Sequence, residues 1–196
     1  MVLVQFAHPR LDESRVNQAL ADALRQLPGV TWNDLYQRYP DFDVDVDAEQ
    51  AQLLDHQVLI CLHPLYWYSC PPLLKQWIDL VLEHGWAYGS QGKQLVGKTW
   101  LQVVTTGGPA EAYQASGAHR HRLGEFLSPF EQTARLCGME WREPHAIHGT
   151  HRLSQARLNQ EVDRVTALVK GLTRSPVPIP GDPMAEAPVE RAGSAK

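Results

Sequence analysis

Val58-Leu59-Ile60-Cys61-Leu62-His63-Pro64-Leu65-Tyr66-Trp67-Tyr68-Ser69-Cys70-Pro71-Pro72-Leu73-Leu74-Lys75 contains, in order, a strand, a loop and a helix start. Its first five residues are all apolar, the mark of a strand buried on both faces, as in a parallel sheet. Pro71 and Pro72 stand where a first helical turn tolerates proline, and Leu74, Trp77, Ile78, Val81 and Leu82 then share one face until Gly85. The same pattern recurs upstream. Residues 2–7 form an apolar run, broken only by Gln5, that ends at His8-Pro9, and Val16, Ala19, Leu20, Ala23, Leu24 and Leu27 follow at helical spacing up to Pro28-Gly29. Ser14 is the natural N-cap of that helix.

Further along, the pattern predicts a weaker strand over 30–36, a solvated acidic edge at 41–47 and a strand over 99–105. A helix around 126–136, a strand near 139–141 and a helix from about 154 to 172 follow. This alternation predicts an α/β fold: a flavodoxin-like doubly wound five-stranded parallel sheet in three α/β/α layers. The expected domain is 1–174, and the proline-punctuated residues 175–196, poor in large apolar side chains, read as a disordered tail.

Composition narrows the function. The chain has 196 residues, 43% hydrophobic and 20% charged, which suits one globular core. A net charge of −4 without a Lys/Arg stripe argues against nucleic acid as a partner. The residues before the first strand carry no signal-peptide pattern, and no apolar run reaches about 18 residues, so a cytoplasmic location is expected. Cys61, Cys70 and Cys137 lack a CxxC pair and read as reduced thiols.

In such a sheet the loops after the first, third and fourth strands converge on one crevice. The first ends in Ser14-Arg15-Val16-Asn17, a hydroxyl followed by helix-start amides, which suits a phosphate; a plain serine cap has the same pattern. The second sets Tyr66, Trp67 and Tyr68 in a row, a surface on which a flat ring can stack. The third, Thr105-Thr106-Gly107-Gly108, offers backbone amides without side chains, or simply a turn. Together they are the parts of a site for a mononucleotide bearing a planar heterocycle, which favours a flavin.

Other motifs compete. Gly92-Lys93-Gln94-Leu95-Val96-Gly97-Lys98-Thr99 fits the P-loop expression, but a strand rather than a helix follows its lysine. His145, His148 and His151 recur every third residue without a carboxylate or Cys partner, and read as solvated or loop-packing residues rather than metal ligands.

Ala7-His8-Pro9, Tyr39-Pro40-Asp41-Phe42, the stretch from His63 to Lys75, His84-Gly85-Trp86-Ala87-Tyr88-Gly89 and Thr105 to Gly108 together resemble the NAD(P)H quinone oxidoreductase family of flavodoxin-like proteins. Within it they are most similar to the KefF- and KefG-type ancillary proteins of glutathione-regulated potassium-efflux systems. The resemblance implies FMN rather than FAD, held by His8, Ser14, Arg15, Val16 and Asn17, by Leu65, Tyr66, Trp67 and Tyr68, and by Thr105, Thr106, Gly107 and Gly108. It implies NAD(P)H and quinone as substrates, with Tyr113 and His119 steadying the charge that develops during hydride transfer. It also implies a homodimer and an antiporter partner at the inner face of the cell membrane, either beside catalysis or in its place. Arg120-His121-Arg122 departs from the family's glycine after the histidine, and so bears on substrate choice.

Overall fold

A computed structural model describes residues 1–174, so the expected tail, 175–196, lies outside the described residues. The elements are β1 (Val2–Phe6), α1 (Arg15–Leu24), β2 (Val30–Asp34), α2 (Leu35–Arg38), α3 (Val46–Asp55), β3 (Val58–Pro64) and α4 (Pro72–Val81). They continue with β4 (Thr99–Thr105), α5 (Leu123–Leu136), β5 (Glu140–Trp141), β6 (His145–Ile147) and α6 (Gln155–Arg174). All strand pairs are parallel, in the order β2-β1-β3-β4-β5, with β6 pairing β4 beyond β5.

The largely apolar strands, in which Gln5 and Gln102 are buried polar exceptions, follow from covering on both faces. Leu59 and Cys61 of β3 join Trp77, Trp100 and Phe130 in one core, while Val58, Ile60 and Leu62 join Leu20, Leu24, Val165 and Val169 in the other. Period-2 alternation sends successive residues to opposite layers, so neither face tolerates a polar repeat.

Several boundaries differ from expectation. The strand expected over 30–36 stops at Asp34, whose side chain accepts from the Gln37 N–H and turns the chain into α2. The aspartates of the acidic stretch are solvated, but the stretch also starts a helix: Asp45 accepts from the Ala48 N–H and caps α3, which the apolar pattern does not show. The helix buries Glu49 and Gln50 beside Leu53, so its inner face is largely polar. The fifth strand position is shared by two short pieces: Glu140 and Trp141 align with Thr99 and Trp100, and 145–147 with 103–105.

Lys98 explains the P-loop-like stretch. Its ammonium donates to the carbonyls of Leu54 and His56 at 3.0 and 2.7 Å, tying the end of α3 to the start of β4. Burial lowers its pKa from the ordinary lysine value. We expect Lys98→Ala to lower stability by about 1–3 kcal/mol, because two carbonyls lose a charged donor. No ATP hydrolysis is expected in either form. Lys98-dependent hydrolysis of ATP would reverse this assignment.

Candidate flavin site

Three loops meet at the carboxyl ends of β1, β3 and β4. Leu65 N–H donates to Thr105 O at 2.8 Å, joining the second loop to the third. Asn17 Nδ2 reaches both Ser14 Oγ, at 2.9 Å, and Thr105 Oγ1, at 3.0 Å, joining the first to the third.

Ser14 is the N-cap of α1 by position, yet its side chain caps no backbone amide. Its oxygen accepts from Asn17 instead, which leaves the hydroxyl proton and the first-turn amides of Arg15, Val16 and Asn17 to other acceptors. Beside them lies a recess of about 230 Å³ lined by Glu13, Ser14, Arg15, Val16, Thr150 and His151. The Val16 side chain is buried in the core and the Arg15 guanidinium bonds Leu153 O, so both residues offer the recess their backbone amides. His8 is buried, and its Nδ1 accepts from the Arg10 N–H at 3.2 Å, which leaves the ring proton on Nε2. Burial, opposed by Asp12, holds its pKa below the usual histidine value.

The aromatic loop is a tight turn. Ser69 N–H donates to Tyr66 O at 2.9 Å, and Trp67 and Tyr68 both have positive φ, 47° and 62°. Two bulky residues there cost about 1–3 kcal/mol each, a strain typical of ligand sites. The three rings diverge: Trp67 is 90% exposed, Tyr66 meets His8 edge-on, and Tyr68 packs on Phe126 at 5.0 Å and His119 at 5.3 Å. They do not form a single continuous wall.

Thr105 and Thr106 are buried and turn their hydroxyls inward, Thr105 toward Asn17 and Thr106 toward Gly108 O and His148 Nδ1. Toward the crevice these residues present backbone. A Cβ at Gly107 would stand 3.1 Å from His151 Nε2, and one at Gly108 would stand 3.3 Å from the Tyr113 ring. The glycines thus admit neighbouring protein rings as well as leaving their amides bare.

Tyr113 and His119 come together, with ring centroids 4.6 Å apart. His119 N–H donates to Ala112 O at 3.1 Å, which closes the loop that carries them. Burial raises the Tyr113 pKa above the ordinary phenol value, and the nearby Thr106 hydroxyl partly offsets this. The phenol therefore keeps its proton throughout the neutral range.

The spaced histidines separate. His145 faces Glu161 at 3.7 Å, His148 bonds Thr106 at 2.9 Å, and His151 lies against Gly107. Two of the three border the crevice, as does Phe126. A lone aromatic in a helix and histidines flanking a glycine carry no signal that separates them from loop packing.

Residues 1–169 match the sequence profile of a family described by its flavodoxin-like fold. The chain belongs to the flavodoxin-like fold family. A glutathione-regulated potassium-efflux system ancillary protein KefG, from Cronobacter sakazakii, is 48% identical to this flavodoxin-like chain over 157 residues, 80% of this chain and 85% of that protein. Among solved structures, general stress protein 14 from Treponema denticola, in complex with FMN, has a TM-score of 0.79 and 41% identity, covering 88% of this chain and 97% of its own. An NADPH-quinone reductase from P. pentosaceus has a TM-score of 0.79 and 32% identity, covering 86% and 96%. No helix among the described residues of this flavodoxin-like chain is long and apolar enough to cross a membrane.

Proposed function

We propose that this chain is an FMN-dependent NAD(P)H:quinone oxidoreductase working by ping-pong hydride transfer, and that it is also an ancillary subunit of a glutathione-regulated potassium-efflux antiporter. The observation that carries the first part is Ser14: a helix start whose serine side chain leaves its amides uncapped, beside a glycine turn and a Tyr–His pair. When bound, FMN supplies a carrier that takes hydride from a nicotinamide and passes reducing equivalents on.

The chain's own groups do the rest. Ser14 Oγ–H and the amides of Arg15, Val16 and Asn17 bind the phosphate dianion, helped by the positive end of the α1 dipole. His8 Nε2–H and the Thr105–Gly108 backbone orient the ring system. Leu65 and the turn at Tyr66, Trp67 and Tyr68 shield it from water. Tyr113 and His119 donate hydrogen bonds to the acceptor oxygen on which negative charge develops.

The 48% identity to a KefG protein favours the ancillary role, in the cytoplasm at the inner face of the membrane. A homodimer completes the reading, since Trp67 and Tyr66 are exposed and would be covered by a second copy. If the ancillary role stands alone, the purified protein will activate the antiporter without flavin.

The visible spectrum of purified protein tests flavin directly: absorbance bands of noncovalent FMN are expected, and protein that stays colourless after FMN titration and dialysis refutes the enzyme. Ser14→Asp should weaken FMN binding by about 30-fold. A carboxylate about 4 Å from a near-dianion costs ~2 kcal/mol even at water-like dielectric. Equal affinity of variant and parent in a fluorescence titration would place the phosphate elsewhere.

A further inference from the structure

The loop after β6 lies outside the three loops that the topology brings to the crevice, yet it is bonded to the third of them at every step. Thr106 N–H donates to Ile147 O at 2.9 Å, Gly149 N–H to Gly108 O at 2.9 Å, and Thr150 N–H to Thr106 O at 3.1 Å. Gly149 sits at φ +65, a left-handed position that a glycine adopts without cost, and this bends residues 148–151 back over the Gly107-Gly108 turn.

One side chain completes the ladder. The single Thr106 hydroxyl proton is directed to Gly108 O at 2.8 Å, so the oxygen is left to accept from His148 Nδ1 at 2.9 Å. That requires the Nδ1–H tautomer, since an unprotonated Nδ1 would face an oxygen with no proton to give it. The His148 ring also packs on Tyr113, with centroids 5.3 Å apart and planes 36° apart. His148 therefore touches both parts that must stay in place: the glycine turn, through Thr106, and the phenol, directly.

We propose that His148 is a positioning residue for the reduction, holding the Gly107-Gly108 turn and the Tyr113 phenol in register through the Thr106 hydroxyl. The proposal rests on the oxidoreductase reading above. A displacement of about 1 Å at a reacting group costs up to about 100-fold in rate, so loss of this brace should slow the acceptor half-reaction more than it weakens FMN. Burial keeps the ring neutral near pH 7, opposed by the charges of Glu111 and Glu161, so the brace is present at working pH.

The test separates atoms. His148→Asn sets an amide N–H where Nδ1 stands, whereas His148→Gln sets one where Nε2 stands, and His148→Ala supplies none. We expect reoxidation of the FMN-loaded protein by a benzoquinone, followed by rapid mixing, to fall by about 10- to 100-fold in the Gln and Ala variants. The Asn variant should recover most of the loss, and all three should keep their FMN affinity within a few-fold. The tautomer is read separately, from imidazole nitrogen NMR shifts of the full-length protein with and without FMN, where Nδ1–H is expected. An Nε2–H tautomer overturns the proposal, as does parent-like reoxidation in the Gln variant. If the parent takes up no FMN, the oxidoreductase reading falls and the positioning role with it, while the tautomer still decides the Thr106 bond. Should the Ala variant fail to fold, the Asn and Gln pair decides the outcome.

Discussion

Tyr113→Phe and His119→Gln should each retain FMN while slowing turnover, with the loss confined to delivery of reducing equivalents to the acceptor. The two rings lie 4.6 Å apart, Tyr113 is buried with its pKa raised by that burial, and neither residue belongs to the phosphate recess. A donor that acts only as charge develops stabilises the transition state and not the bound ground state, so kcat falls while flavin affinity stays. Loss of one well-placed donor costs about 10²–10³ in kcat, and His119, partly exposed and shared with Tyr68 at 3.5 Å, should fall at or below the lower end. Rapid mixing separates flavin reduction by NADPH from its reoxidation by a benzoquinone. Unchanged rates in both half-reactions for both variants would remove these side chains from the mechanism and favour the ancillary role alone.

The second large effect is structural. Glu49 is fully buried, and its carboxylate accepts from Gln5 Nε2, Asn33 Nδ2, Tyr39 OH and Trp77 Nε1 at 2.7–3.1 Å, with Arg38 3.2 Å away. Those donors come from β1, β2, the segment after α2, and α4, so one side chain of α3 ties four neighbours together. Its negative charge also adds to burial in raising the Tyr39 pKa, which keeps that phenol a donor. Glu49→Leu should destabilise by about 3–5 kcal/mol, because it strands buried donors and leaves Arg38 without its partner. For a domain of this size that is a fall of roughly 6–20 °C in melting temperature, checked by calorimetry. A shift under about 2 °C would show that the cluster contributes little net stability. Glu49→Gln should fall between the two, since an amide keeps an acceptor but turns N–H donors toward other donors.

Most of the sheet could be read along the chain. Strands β1, β3 and β4 are mostly apolar because helices cover both faces, and that burial is written in their composition despite the buried Gln5, His63 and Gln102. The bounds of β4 follow from it, as does the rejection of the P-loop, since Thr99 starts a strand. Helix α3 was hidden because it is held by a buried carboxylate and amide, so its inner face shows no apolar period. The split at β5 and β6 was hidden for a different reason: Arg142 N–H still bonds Trp100 O across the break, and Pro144 interrupts pairing by lacking a donor.

At the candidate site the sequence alone determined which three loops converge, since chain order and the right-handed crossover place the ends of β1, β3 and β4 together. It also determined the residue types there: a helix-start serine, an aromatic run, a glycine pair and a Tyr–His spacing. Only the tertiary structure decided what each side chain does. Ser14 is turned from cap to acceptor by Asn17, Thr105 and Thr106 are turned inward, and Trp67 points outward from a turn of positive φ. His148 and His151 enter the site because β6 pairs with β4 and carries its following loop over Gly107. Local propensity reports how the backbone runs, whereas a hydrogen bond between residues 42 apart, such as His148 to Thr106, exists only once two strands share a sheet.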